Sequence, residues 1–243
     1  MNKSTHMANQ SAIKSKESSK DGMKVRFVKI NYIGKIKGTD QVFDLTDEAV
    51  ARKNGVFDED AFYGPLTIVI GAGHVIPALE KSISGMKAGD KKKITVSVEE
   101  GFGKREPERV KLIPEAAFKA QGLEAKPGII VNIGGLVGRV QNVANGRITV
   151  DFNHPLAGRE LEYDVEIIED VGNADEQLKG LLNLHLRSHS KDVSSVKITD
   201  GSNAEIESKW VLSYPQMSML SDEFKKYVGG GDKIKTVKFV YSF

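Results

Sequence analysis

The sequence predicts an α+β protein built from small units in series. Three observations carry that prediction. Apolar and charged residues alternate with period two in several separate stretches, leucines near residue 180 repeat at helical spacing, and a turn-rich segment between them reads as a module of its own. At 243 residues the chain has room for one large domain or two to three small ones.

Order is expected from Lys24; residues 1–22 are polar and read as a flexible tail. Val28, Ile30 and Tyr32 alternate with Lys29 and Asn31, which predicts a half-buried strand. After a turn at Gly38-Thr39-Asp40, Asp47 to Asn54-Gly55 reads as a short helix with a left-handed stop. Residues 66–70 form the next expected strand, halted by Gly71-Ala72-Gly73, and Pro77 opens a helix that Gly85 ends. Gly89-Asp90 turns the chain into Ile94, Val96 and Val98, alternating with Thr95 and Ser97. Beyond Glu106-Pro107, Pro114 is expected to open a helix reaching Gln121-Gly122, after which Ile129, Val131 and Ile133 alternate. Asn145-Gly146 between Val140 and Ile148 predicts a tight hairpin, because both turn residues tolerate positive φ.

Residues 105–152 are therefore expected as a small strand-rich module interrupting a domain made of 23–104 and 153–170. That domain resumes with Leu161, Tyr163, Val165 and Ile167 alternating with acids. A last α+β unit, 171–243, is expected as helix, hairpin, helix and strand. Its first helix carries Leu178, Leu181, Leu182 and Leu186 on one face, its hairpin turns at Asp200-Gly201, and Trp210 and Tyr214 are assigned to its core or to an interface.

Composition narrows function mainly by exclusion. Hydrophobic residues at 40% and charged residues at 28% fit a soluble globular chain, and a net charge of +2 with no basic run longer than Lys91-Lys92-Lys93 argues against a nucleic-acid partner. Without cysteine there is no disulfide, thiol nucleophile or thiolate metal site. Residues 1–22 hold no apolar core of signal-peptide length, and residues 66–79 are too short and too interrupted to span a bilayer, so a cytoplasmic protein with no membrane partner is expected. Motifs for serine hydrolysis, phosphate cradling and zinc proteolysis are missing. His185 and His189 lie four apart on an expected helix, but two ligands do not make a site, so neither metal nor cofactor is expected. His154, beside Pro155, reads as a structural hydrogen-bonder.

One constellation remains. Tyr32, Phe43, Val75, Ile76, Leu79, Phe102 and Tyr163 accompany a single acid, Asp44, at expected strand ends and turns; without the order of the motifs the set reads first as a plain core. The order of its motifs adds information. Val42-Phe43-Asp44, then residues 71–80 (GAGHVIPALE), then 85–90 (GMKAGD), then Gly101-Phe102-Gly103 closely resembles the FK506-binding-protein class of prolyl isomerases. Residues 151–158 (DFNHPLAG), running into Leu161, look like the signature of its SlyD-like subgroup.

The resemblance, covering residues 24–170, implies an FKBP-like antiparallel half-barrel wrapped on a short helix and interrupted by a mostly-β insert-in-flap domain. Residues 171–243 look like the extra C-terminal α+β domain of long archaeal-type members. It implies peptidyl-prolyl cis/trans isomerisation with chaperone activity on unfolded or proline-containing polypeptides, and leaves room for a homodimer through the C-terminal domain. By resemblance Asp44, Tyr32, Phe43, Phe102 and Tyr163 form the catalytic set. Leu66, Val75, Ile76 and Leu79 line the proline pocket, with the Ile76 amide holding a substrate carbonyl. Ile129, Val131, Ile133, Leu136 and Val137 are assigned to client binding in the insert. Phe102 stands where a tyrosine is usual and Leu79 where some relatives carry tryptophan, which implies modest activity toward short peptides.

Overall fold

A computed structural model describes residues 25–120, 122, 124–187, 192–231 and 233–242; the expected tail of residues 1–22 lies outside them. The chain divides into two compact units, one made of residues up to Thr95 together with those from Glu162, the other of Val96–Leu161.

The first unit is organised by β1 (Arg26–Ile36), whose alternation buries Val28, Ile30 and Tyr32. Along one edge β1 pairs antiparallel with both β2 (Val42–Leu45) and β3 (Leu66–Ile70). On its other side lies β9 (Leu161–Asp170), followed by β4 (Lys91–Val96), giving the order β2-β1-β9-β4 with β3 also on β1. The expected strand through Val98 ends at Val96. Between β2 and β3 sits α1 (Glu48–Lys53), started by the Asp47 carboxylate accepting the Val50 N–H and stopped by Gly55 at φ 67°. Proline at the first turn opens α2 (Pro77–Ile83), which buries Leu79 and Ile83.

Residues from Asn173 onward, expected as a unit of their own, do not stand apart. The Asn173 side chain caps α4 (Ala174–His185), whose leucines share a core with Phe27 of β1, Val69 of β3, and Leu220 and Phe224 of α5 (Tyr214–Tyr227). A hairpin of β10 (Val193–Thr199) and β11 (Asn203–Ser208) turns on Asp200 and Gly201, both at positive φ. The chain then crosses by α5 so that β12 (Thr236–Tyr241) pairs parallel to β11. Tyr214, assigned from sequence to the core or an interface, is the first residue of α5 and 79% exposed, so it is not a core residue.

Gly180 shows how closely α4 lies on β3. A Cβ there would sit 2.4 Å from Thr67 Cβ, and Thr67 is buried. Glycine to alanine inside an exposed helix gains about 1 kcal/mol. Here Gly180→Ala is expected to lose roughly 1–3 kcal/mol by overpacking, measured as a lower denaturant midpoint at unchanged m value.

The second unit holds a four-stranded antiparallel sheet in the order β5-β8-β7-β6 (Val110–Pro114, Arg147–Asp151, Leu136–Ala144, Ile130–Ile133). α3 (Glu115–Ala120) drops Phe118 into a core with Val131, Val140, Ile148 and Val150. Pro114 closes β5 instead of opening the helix. β5 is an edge strand, where a missing N–H leaves the ladder intact. Asn145 and Gly146, both at positive φ, make the expected hairpin. Where the module begins and ends, the Asn153 carboxamide accepts from the Glu106 N–H and donates to the Glu106 carbonyl, each at 2.9 Å, so the two strands of chain are tied side by side.

Candidate active site

Period-two burial points Tyr32 of β1 and Tyr163 of β9 to the same interior, and β2 brings Phe43 and Asp44 to them. Phe43 meets the Tyr163 ring edge-on with centroids 5.6 Å apart, and Tyr32 lies 6.3 Å from it, tilted. Gly34 makes this approach possible. It faces Asp44 across the β1–β2 ladder beside a register shift, and a Cβ on it would come 2.8 Å from Phe43 Cζ and 3.0 Å from Tyr163 Cε1. Gly34 is thus a site residue that the sequence reading passed over; a lone glycine inside an alternating strand was the available signal.

The polar side of the cluster is a three-member network. The Tyr32 hydroxyl donates to Asp44 Oδ2 at 2.8 Å and accepts from Arg187 Nη2 at 2.9 Å, while Arg187 Nη1 stands 3.6 Å from Asp44 Oδ1. Behind it the Tyr32 N–H donates to the buried Thr46 hydroxyl at 2.9 Å, pinning β2. Burial, reinforced by the Asp44 charge, pushes the Tyr32 and Tyr163 hydroxyls far above the ordinary phenol range, so both stay neutral. Burial pulls the Arg187 guanidinium down, but Tyr32 and Asp44 more than offset it and its net shift is upward. No sequence signal marked Arg187, which is 155 positions from Tyr32.

The other expected pocket residues occupy several elements. Leu66 pairs with Ile30 in the β1–β3 ladder and is buried, Leu79 is buried on α2, and Val75 and Ile76 are half-buried in the turn that leads into it. Phe102 belongs to the second unit, where its ring stacks on His154 with centroids 4.0 Å apart. His154 Nδ1 accepts the Leu156 N–H at 3.2 Å, a structural bond.

The client-binding set divides. Val131 is 4% exposed inside the second unit's core, and Ile129 and Ile133 pack against that core. Val131 is corrected to a core residue; strand alternation puts Ile129 and Ile133 on its face, where both are half-buried. Leu136 and Val137 are exposed at 63% and 41%, as are Leu112 and Ile130 at 63% and 43%.

A second polar cluster joins the turn after β3 to α4 and α5. His74 Nε2 and His185 Nε2 approach the two oxygens of Glu223 at 3.3 and 2.8 Å, and one ligand atom from each residue lies within 4.8 Å of the others, a spacing that can hold a metal. The His74 ring argues against one. Its Nδ1 accepts the Val69 N–H at 3.1 Å, so Nε2 carries the proton and donates to Glu223, the reverse of a metal-binding tautomer. His189, the other half of the expected helical pair, lies outside the described residues. Burial raises the Glu223 pKa, but hydrogen bonds from His185 and His74 outweigh it and bring the carboxyl down to about 2. A carboxyl lowered by folding contributes stability that is present above its unfolded pKa, near 4.5, and lost as pH falls toward 2. The stability difference between wild type and Glu223→Gln is therefore expected to be largest above about pH 5 and to shrink across that acid window, read by urea unfolding at several pH values.

With this geometry in view, comparison with known proteins is specific. The short-type peptidyl-prolyl cis-trans isomerase of Methanocaldococcus jannaschii is 30% identical over 151 residues, which is 62% of this chain and 94% of that protein. A probable FKBP-type 16 kDa peptidyl-prolyl cis-trans isomerase of Pseudomonas fluorescens is 35% identical over 127 residues, 50% of this chain and 83% of its own. The chain belongs to the FKBP-type peptidyl-prolyl cis-trans isomerases. Within that FKBP-type family, SlyD of Yersinia pestis is 27% identical over 143 residues, 58% of this chain and 73% of that protein, and the family model of the FKBP26 IF domain matches residues 111–156. The matched segment lies inside the second compact unit of this FKBP-type chain.

Proposed function

We propose that the chain catalyses cis/trans isomerisation of X–Pro bonds, and that its second unit holds unfolded polypeptides while it does so. The observation that carries the first part is an aromatic wall, buried Tyr163 and Tyr32 with half-buried Phe43, beside one hydrogen-bonded carboxylate in a member of this family. Rotating an amide opposes a barrier of about 18–20 kcal/mol but neither makes nor breaks a bond, so no nucleophile is needed. Planar amide is charge-separated; the twisted form loses resonance and is less polar. A dry aromatic surface disfavours the planar form relative to the twisted one, and each tenfold acceleration needs about 1.4 kcal/mol of that preference.

Asp44, held by Tyr32, stands at the pocket rim and orients the substrate amide by its charge, and the Ile76 amide at the head of α2 holds the substrate carbonyl. Leu66, Val75 and Leu79 complete the proline pocket in this reading. The holding function rests on Leu112, Ile130, Leu136 and Val137, apolar side chains left at the surface of a unit too small to cover them. Acceleration of a proline-limited refolding reaction by catalytic amounts of the chain is the test, and an unchanged slow phase overturns the proposal. A strong chelator is expected to leave that rate within experimental error, since no step is assigned to a metal.

A further inference from the structure

We propose that Arg187 is a positioning residue of the isomerase site, supplied from beyond the FKBP-type sheet. It fixes the Asp44 carboxylate and the Tyr32 hydroxyl in one arrangement, and this role rests on the isomerase reading above. Residues that follow α4 have no part in the aromatic wall, yet Arg187 reaches across to the one acid inside it. Its two terminal nitrogens are divided between the two partners, Nη2 on Tyr32 and Nη1 toward Asp44. Such a fork sets direction as well as charge, which a lysine ammonium does not.

The approach is itself held. His185, two residues earlier, is bound to Glu223 of α5, and Glu223 also takes His74 from the turn beside Val75 and Ile76. The end of α4 is thereby clamped to the element that carries the expected carbonyl-binding amide, with Arg187 just beyond the clamp. Asp44 alone, 35% exposed at the side chain, has several rotamers open to it. Pinned between Tyr32 and Arg187, it keeps one carboxylate orientation toward the substrate before the amide twists, so the ordering is done in advance.

The test compares wild type, Arg187→Met, Arg187→Lys, Tyr32→Phe and the double variant Tyr32→Phe/Arg187→Met on a prolyl tetrapeptide, separating kcat from KM, with thermal unfolding alongside. Arg187→Met is expected to lower kcat about tenfold with KM within about twofold. Arg187→Lys is expected to recover part of the loss. In the Tyr32→Phe background, removing Arg187 should cost less than about twofold, because the network is already broken. If Arg187→Met fails to fold, Arg187→Lys decides: about threefold below wild type supports the role, and full activity overturns it. An active wild type with a folded, fully active Arg187→Met overturns this proposal alone, as do effects that multiply independently. A wild type with no isomerase activity overturns the reading on which it stands.

Discussion

A chain in which two glycines join Glu106 to Asn153 in place of the module is expected to lose about a hundredfold or more of its acceleration of proline-limited refolding. It should still isomerise a tetrapeptide within about tenfold of the full chain. The chain geometry favours such a deletion. Asn153 already bonds both the N–H and the carbonyl of Glu106, so the ends to be joined are adjacent. What disappears is the surface carrying Leu112, Ile130, Leu136 and Val137. A weak holding site on the same chain raises the local concentration of client proline and acts only on substrates long enough to occupy both sites. Aggregation suppression should vanish with it. A folded deletion variant that refolds proteins as fast as the full chain would sink the assignment of holding to this module.

Asp44→Ala is expected to lower kcat/KM on a prolyl peptide at least tenfold, about 1.4 kcal/mol of transition-state stabilisation, while the protein stays folded. The variant removes the acceptor of the Tyr32 hydroxyl and the charge facing Arg187 together. Tyr163→Ala should do the same by another route, since it takes away the ring against which Phe43 and Tyr32 are set. It also empties a buried site, at a cost of about 3 kcal/mol or more in stability, so its far-UV spectrum and melting curve belong beside the kinetics. Full activity in both variants would dismantle the site.

Much of the architecture was legible because it is written locally. Alternation in β1 and β9 requires only that one face be dry, and the Asn145-Gly146 and Asp200-Gly201 pairs announce turns whose φ values few other residues tolerate. β5 was not legible: Val110–Pro114 ends in proline and shows only a partial alternation, and its place is set by its ladder with β8. Alternation in 129–133 was read correctly as a shared face, but period two does not say which face is wet. That choice belongs to Phe118 and Ile148, which come from elsewhere in the chain. The leucines of α4 announced a buried stripe without naming its cover, and they pack against Phe27 and Val69 as well as the C-terminal elements. Asp44 and Tyr163 were nominated by motif and Tyr32 by the resemblance, Gly34 had a local signal, and Arg187 had none, because an arginine near a helix end looks like any solvated charge until the tertiary fold is known.

The order of strands also sets an order of events. β9 lies between β1 and β4, yet it is synthesised after both and after residues 97–160. While the ribosome is still making the intervening module, β1 and β4 exist without the strand that joins them, and their apolar faces wait. Closing a long flexible loop to bring β9 home carries an entropic cost that grows with the loop. A module that folds first, with Asn153 tying its exit to Glu106 at its entrance, turns that long loop into a short one. Vectorial synthesis thus favours a sequence in which the inserted unit matures before the sheet it interrupts.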